Sequence, residues 1–110
     1  MALQHAASGE KIALKRSDED IAFFTSVALA KTEHMELIRL VVTKDKPMPE
    51  HKVEGEMSLV CLEGELEVDA YGKTTVLKPS EMVYFSGGVP HAVRANEDSV
   101  ALLTILLHPC

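Results

Sequence analysis

Residues Met48-Pro-Glu-His-Lys-Val-Glu-Gly-Glu-Met-Ser-Leu-Val-Cys-Leu-Glu-Gly-Glu-Leu-Glu-Val68 decide the fold. They predict a loop that carries one histidine, then a buried strand, a Glu-Gly turn and a second strand, because short apolar runs bounded by glycine and charged residues are typical of strands. A second loop, Ser86-Gly-Gly-Val-Pro-His91, follows about 40 residues after His51. The chain therefore contains two turns that each bring a histidine to the start of a strand.

The rest of the chain also has the pattern of short strands. Acidic side chains alternate with apolar ones from Glu65 to Tyr71, which predicts a strand with one wet and one dry face. Gly72-Lys73 predicts a tight hairpin turn, and the nearly continuous apolar run from Ser99 to Leu107 predicts a strand buried on both faces. Further strands are predicted at 33–43, 57–62, 74–77, 83–85 and 92–94. Short strands separated by glycine and proline predict an all-β sandwich or barrel.

The N-terminal part of the chain is less clearly patterned. We expect an arm without regular structure over residues 1–16 and a single barrel domain over residues 17–110. Ser17-Asp-Glu-Asp20 is suited to cap a short helical turn through Ile21 to Phe24, because Ser and Asp side chains accept hydrogen bonds from the free N–H groups of a first turn. A strand from Phe23 to Leu29 fits the same residues equally well, and the sequence leaves both open.

Length, composition and charge exclude several classes of protein. A chain of 110 residues forms one domain with one core, and 46% hydrophobic with 25% charged residues is ordinary for a folded protein. A net charge of −6 without a Lys/Arg cluster argues against nucleic acid as a partner. No apolar run approaches the roughly 20 residues of a membrane-spanning helix. We therefore expect neither nucleic acid nor a membrane as a partner.

The cysteines and the N-terminus bear on location. Cys61 lies inside an apolar strand and Cys110 is the last residue, so the two do not form a metal or redox motif. The first residues lack the basic start and apolar stretch of a signal peptide. Thiols without a disulfide framework fit a reducing compartment, and we expect a cytoplasmic protein.

The first histidine motif resembles that of the cupin superfamily. Leu62-Glu63-Gly64-Glu65 matches the phrase whose glycine ends the family's first motif, and His51 falls on the position of its first histidine. Metal-bearing members usually have His-x-His followed by Glu in this motif. The matching positions here read His51, Val53 and Met57, so the ligand set implied by the resemblance is incomplete.

The second histidine motif extends the resemblance. Gly88 and His91 match the family's glycine and histidine, Ser80 replaces the leading glycine, and Ser86-Gly87 replaces the usual proline turn. The similarity covers roughly residues 37–107. It implies a cupin-type jelly-roll barrel, that is, a double-stranded β-helix.

The resemblance also implies a site at the mouth of the barrel. His51 and His91 occupy inward ligand positions of the family, so we expect both side chains to reach one cavity, a common place for a ligand in a barrel. The apolar strands that follow them are expected to complete its wall. The predicted pocket is lined by His51, Met57, Leu59, Cys61, His91, Val93 and Thr104.

A tight native metal is not expected in this pocket. A metal centre normally needs at least three protein ligands, and the matched positions supply only His51 and His91, because valine ligates nothing and methionine is a soft thioether. Glu56 is one residue away from the glutamate position, and a shift of one residue in a strand points a side chain to the other face. If a divalent transition metal binds, His51 and His91 are its expected ligands.

Three functions remain open from the sequence. We expect a barrel that binds a small molecule. The alternative is an enzyme, such as an oxygenase or isomerase, either with a metal or with His51 or His91 as a general base, since histidine titrates near neutral pH. A purely structural role is the third. No residue is assigned a catalytic role, and the resemblance to small cupins implies a homodimer.

Overall fold

Seven β-strands form the fold in the computed structural model, which describes residues 5–15 and 25–107. The strands are β1 Val27–Lys31, β2 Met35–Val42, β3 Met48–His51, β4 Met57–Ala70, β5 Lys73–Leu77, β6 Met82–Phe85 and β7 His91–Leu106. These described residues contain no helix, and so none that could span a membrane. The all-β prediction is confirmed, whereas the helical turn considered at 21–24 lies outside the described residues.

Two long strands, β4 and β7, are the centre of the fold, because four of the other five strands pair directly with one of them. They pair antiparallel with each other along most of their length. The first part of β4 pairs with β6 and its last part with β5. The first part of β7 pairs with β3 and its last part with β2, which in turn pairs with β1. Two sheets result, β6-β4-β7-β2-β1 and β5-β4-β7-β3, and they share the long strands as in a jelly roll.

The long strands bend where β4 passes Gly64. The register with β7 shifts between Cys61 and Leu66, and Gly64 has a φ of +87°. A Cβ atom at Gly64 would lie 2.6 Å from the carbonyl oxygen of Asp98 and closer still to Ser99 Oγ. Glycine is therefore required here both by its backbone conformation and by the close approach of β7.

Ser99 holds the other side of this bend. Its side chain is fully buried, its Oγ accepts a hydrogen bond from the Glu65 N–H at 3.0 Å, and its hydroxyl donates to the Glu97 carbonyl at 2.6 Å. A bulge leaves ladder groups without their usual partners, and a buried N–H without a partner is costly. The serine supplies the hydrogen bond that the interrupted ladder loses.

Several predicted boundaries were wrong, and the bend explains two of them. The expected Glu63-Gly64 turn is a bulge within the 14-residue strand β4, and the strands expected at 92–94 and 99–107 are parts of one strand, β7. The loop expected around His51 is the short strand β3, since it pairs with the start of β7. The hairpin turn lies at Tyr71-Gly72, one residue earlier than expected, with φ values of 55° and 72°.

The core fills the space between the two sheets. Side chains that are paired across strands point to the same face, so Leu59 of β4 lies beside Leu103 of β7, and Val68 lies beside Val93. All four are buried. The acidic-apolar alternation predicted from Glu65 onward is found, with Leu66 and Val68 in the core. The run expected to be buried on both faces is only half-buried at Leu102 and Thr104.

The described part of the N-terminal arm contacts the sheet. Ala6 donates its backbone N–H to the Leu29 carbonyl of β1 at 2.8 Å, and Glu10 donates to the Ala7 carbonyl to form a turn. Ile12 is half-buried. Residues 5–15 have no regular secondary structure, and the domain boundary at residue 16 stays a prediction.

We expect Gly64→Ala to lower the free energy of unfolding far more than Gly72→Ala. Both glycines have a positive φ, which costs an alanine about 1–2 kcal/mol, but only Gly64 is closed in by β7, and a Cβ at Gly72 meets nothing within 4 Å. Denaturant unfolding should therefore give a loss at Gly64 at least about 2 kcal/mol larger than at Gly72. Equal losses would show that the two strands do not approach each other closely at the bend.

Candidate functional site

His51 and His91 lie side by side at one end of the barrel. They are direct partners in the β3–β7 ladder, and their ring centroids are 4.4 Å apart with a tilt of 56° between the ring planes. His91 is 2% exposed, whereas His51 is exposed to solvent. The structure thus brings together two residues that are 40 positions apart in the sequence, with one ring in the wall and the other at the opening.

Each histidine ring is held by its own chain through the same hydrogen bond. His51 Nδ1 lies 3.1 Å from the Pro49 carbonyl oxygen, and His91 Nδ1 lies 3.0 Å from the Val89 carbonyl oxygen. A carbonyl oxygen can only accept, so in both rings Nδ1 must carry the hydrogen. In the neutral form the Nε2 atom of each ring then has a free lone pair, which can bind a metal or accept a hydrogen bond from a ligand.

The turns that carry the two histidines are fastened to each other through the backbone. Gly88 donates its N–H to the Val53 carbonyl at 2.8 Å. A Cβ atom on Gly87 would collide with the Glu54 carbonyl oxygen, so only glycine lets the 86–90 turn come this close to the 52–56 loop. The spacing of the histidines therefore depends on Gly87 as well as on the strand register.

An aromatic row continues from the histidine pair. Phe85 stacks on His91 with a centroid distance of 5.4 Å and an interplanar angle of 16°, and the ring of Tyr71 lies 6.2 Å from Phe85. Phe85 is buried and Tyr71 is 69% exposed. The sequence analysis missed both residues, since nothing in their local pattern shows that β6 and the β4–β5 turn meet the histidines.

Four other predicted pocket residues lie below the histidine pair, in the core. Met57, Leu59, Cys61 and Val93 are all buried and belong to one apolar cluster. Met57 is the ladder partner of Phe85, whose ring stacks on His91. Burial raises the pKa of the Cys61 thiol, so the thiolate needed for nucleophilic or redox chemistry is disfavoured there.

Thr104 does not share this face. It pairs with Ser58 of β4, whereas the inward-facing Met57 and Leu59 pair with Ile105 and Leu103. Neighbouring residues of a strand point to opposite faces, so Thr104 faces outward and its predicted inward orientation is corrected. The sequence could not decide this, because the run from Ser99 to Leu107 is apolar at nearly every position.

The donor set does not fit a resident metal ion. His51 and His91 provide two nitrogen donors, while Met57 and Val53, which the resemblance aligns with the remaining ligand positions, belong to the core or pack against it. Within residues 5–15 and 25–107, no group of three His, Cys, Asp or Glu side chains is placed to hold a metal. A stable site normally needs three or four such ligands.

A cleft borders the histidine pair on the outside of the barrel. Its volume is about 680 Å³, and it lies between the β4–β5 hairpin and the 88–90 turn. Two of its lining residues, Glu50 and Pro90, immediately precede His51 and His91 in the chain. The cleft is lined by Glu50, Asp69, Ala70, Tyr71, Gly72, Lys73, Thr74, Gly88, Val89 and Pro90.

The carboxylate of Asp69 at the edge of this cleft is already engaged. Thr74 donates its hydroxyl to Asp69 at 2.6 Å, and Arg94 forms ion pairs with both Asp69 and Glu67. The Thr74 hydrogen bond and Arg94 lower the pKa of Asp69. This carboxylate therefore stays charged and paired, and the surface pairs themselves add little stability.

Comparison with known proteins places the chain among cupins. The Cupin domain family matches residues 38–107. A conserved protein of unknown function from Streptococcus pyogenes superposes with a TM-score of 0.77 at 16% identity, covering 100% of this chain and 97% of that one. A cupin superfamily protein from Desulfitobacterium hafniense gives a TM-score of 0.76 at 16% identity, covering 98% and 100%.

A further solved structure, KdgF from Halomonas sp., has a TM-score of 0.68 at 17% identity, and the match covers 76% of this chain and 80% of that one. No curated protein matched the sequence. Identities this low support the fold alone. Together with the family match over most of the barrel and the jelly-roll topology of the strands, they show that this chain belongs to the cupin domain family.

Proposed function

We propose that this cupin binds a small molecule at the paired imidazoles of His51 and His91. The observation that carries the proposal is the matched pair of Nδ1 hydrogen bonds, which leaves an Nε2 lone pair on each of two adjacent rings. His51 is exposed, so a ligand can reach the pair from solvent. Two fixed polar atoms beside apolar walls are the usual composition of a ligand site.

The chemistry of the pair indicates the kind of ligand. A neutral Nε2 accepts a hydrogen bond, so the ligand should carry hydroxyl or amine donors. The ring of Phe85 gives an apolar wall beside His91. Met57, Leu59, Cys61 and Val93 form the packed floor under this site, so the ligand rests at the mouth and does not enter the barrel.

Binding is preferred here to catalysis. An enzyme needs a group placed to move a proton or to form a bond. Either imidazole has suitable chemistry for such a step, and the enzymatic alternative stays a prediction from the sequence. A cytoplasmic location also stays a prediction.

The outer face of the β6-β4-β7-β2-β1 sheet supports a homodimer. The side chains that point outward on its strands are almost all uncharged, and Tyr84 and Met82 are 71% and 58% exposed. Two charged residues lie on this side of the sheet: Arg39 on β2, and Glu63, which pairs with Val100 at the bulge of β4. With a net charge of −6, two copies repel each other least through the face with the fewest carboxylates. The face comprises Leu37, Arg39, Ser58, Val60, Met82, Tyr84, Leu102, Thr104 and Leu106.

Removing one imidazole should weaken ligand binding. We expect small alcohols and amines, titrated into protein with ¹³C-labelled histidines, to shift the ring signals of His51 and His91 together. His51→Ala should weaken the binding of those molecules about tenfold, because one hydrogen bond is lost, worth about 1 kcal/mol, together with ring contact. His34→Ala, at an exposed histidine elsewhere, is the control. Binders that shift His34 as much as the pair would contradict the proposal.

The incomplete ligand set predicts a protein that is purified without stoichiometric Fe, Mn, Ni or Zn. The double change Val53→His and Met57→Glu should create affinity for Ni(II) or Co(II), since imidazole and carboxylate suit these ions. Without metal the variant should be less stable by about 2–4 kcal/mol, because a carboxylate replaces the buried Met57 side chain. Added metal should restore that loss.

Elemental analysis, calorimetric titration and melting curves decide this prediction. A wild-type protein with one metal per chain after mild chelation would contradict the ligand count. A folded double variant with no gain in metal affinity would show that positions 53 and 57 do not face His51 and His91. The single change Met57→Gln is the control, because it adds polarity at the same buried position without a carboxylate.

A charge on the outer sheet face should separate the subunits. We expect light scattering after size exclusion to report a dimer for the wild type and a monomer for Tyr84→Glu, because the dimer would bury that carboxylate. Val76→Glu is the matched control, since Val76 is 45% exposed and faces outward on the other sheet. A wild type that is monomeric at micromolar concentration, or a Tyr84→Glu variant that stays dimeric, would contradict the proposed interface.

A further inference from the structure

Tyr71 occupies an unusual position in the β4–β5 hairpin. It is the first central residue of the turn and has a φ of 55°, followed by Gly72 at 72°. Two successive positive φ values are typical of a type I′ turn, in which Asn-Gly is the preferred pair. A bulky residue at positive φ is strained by about 1–3 kcal/mol. The chain therefore holds a large aromatic ring where a smaller residue would be more stable.

The ring of Tyr71 is also poorly covered for an aromatic side chain. It is 69% exposed, and its ring lies against Phe85 at the edge of the core. Burial therefore does not offset the strain of the turn. Strained residues cluster at functional sites, and Tyr71 lines the 680 Å³ cleft beside the 88–90 turn.

The cleft offers apolar walls and two separate charges. Tyr71, Val89 and Pro90 provide flat or apolar surface, and the volume is within the usual range for a small-molecule site. Glu50 and Lys73 lie on β3 and at the start of β5, the two edge strands of the β5-β4-β7-β3 sheet. The cleft therefore has an acceptor toward one end and a cation toward the other.

These two charges are available to a ligand. The carboxylate of Asp69 already accepts a hydrogen bond from Thr74 and forms an ion pair with Arg94. Glu50 and Lys73, in contrast, form no side-chain hydrogen bond or ion pair with the residues that the structure describes. A molecule with a flat ring, a hydroxyl donor for Glu50 and an anionic group for Lys73 complements what the cleft presents.

We propose that this cleft is a second binding site, separate from the histidine pair, which takes a flat aromatic molecule that carries a carboxylate and a hydroxyl group. Tyr71 is its stacking platform. The ring packs between Tyr71 and the wall formed by Val89 and Pro90, and the carboxylate lies toward Lys73. The site goes beyond the proposed function, because it uses neither imidazole.

The test uses two probes that differ only in the ring. 4-Hydroxybenzoate and trans-4-hydroxycyclohexanecarboxylate carry the same polar groups, but only the first is flat. We expect NMR titration of the full chain to show 4-hydroxybenzoate shifting the signals of Tyr71, Gly72 and Val89. It should bind about three- to tenfold more tightly than the saturated probe, the factor expected from ring stacking. Equal affinities for the two probes would overturn the proposal.

Variants separate stacking from general surface binding. Tyr71→Leu should lose the preference for the flat probe, and Tyr71→Phe should keep it. Tyr84, which is 71% exposed on the other sheet, provides the control: Tyr84→Leu should leave the affinities for both probes unchanged. Lys73→Gln should weaken 4-hydroxybenzoate severalfold. The signals of Tyr71 and Gly72 report the cleft and the ring signals of His51 and His91 report the histidine pair, so failure here is distinguishable from failure of the histidine site. An unchanged affinity in Tyr71→Leu would overturn the proposal.

A stability measurement gives an independent readout. Tyr71→Asn places the preferred residue of a type I′ turn at the strained position, so its melting temperature should be equal to or higher than that of the wild type, while 4-hydroxybenzoate binding is lost. A variant that melts lower and binds as tightly as the wild type would show that Tyr71 serves the fold alone.

Discussion

The antiparallel pairing of β4 with β7 is the constraint on which the rest of the structure depends. Each strand is long enough to serve both sheets, and each can do so only because the pair bends at Gly64 and Ser99. The same ladder sets the register of everything attached to it, including β3 on the starting half of β7. The meeting of His51 and His91 is a consequence of that register, reinforced by the contact of Gly87 with the 52–56 loop.

The sequence predicted the strands well where polarity alternates and poorly where it does not. From Glu65 to Ala70 the alternation indicated both the strand and its buried face. Gly64 indicated an interruption of the strand, but a turn and a bulge both use glycine at positive φ. The contact with Ser99 across the ladder shows that the interruption is a bulge. Thr104 lies in an apolar run without alternation, so its face depended on pairing with Ser58, which local sequence does not contain.

The candidate site was accessible to sequence reasoning only through its resemblance to cupins. That resemblance directed attention to His51 and His91, whereas Phe85 and Tyr71 reach the same end of the barrel through strand pairings that no local pattern encodes. The resemblance also predicted that valine and methionine stand at two of the family's ligand positions, which stays a prediction. The structure adds that Met57 is buried in the core beside Phe85.

The hydrogen bonds to the two carbonyl oxygens require that both imidazoles carry hydrogen on Nδ1, which leaves a bare Nε2 on each ring at the mouth of the barrel. A long-range ¹H–¹⁵N correlation spectrum of the histidine rings at a pH where they are neutral measures this directly, since the two tautomers give different nitrogen shifts. We expect the Nδ1–H form for His51 and His91 alike, held by the Pro49 and Val89 carbonyls. An Nε2–H form in either ring would contradict it.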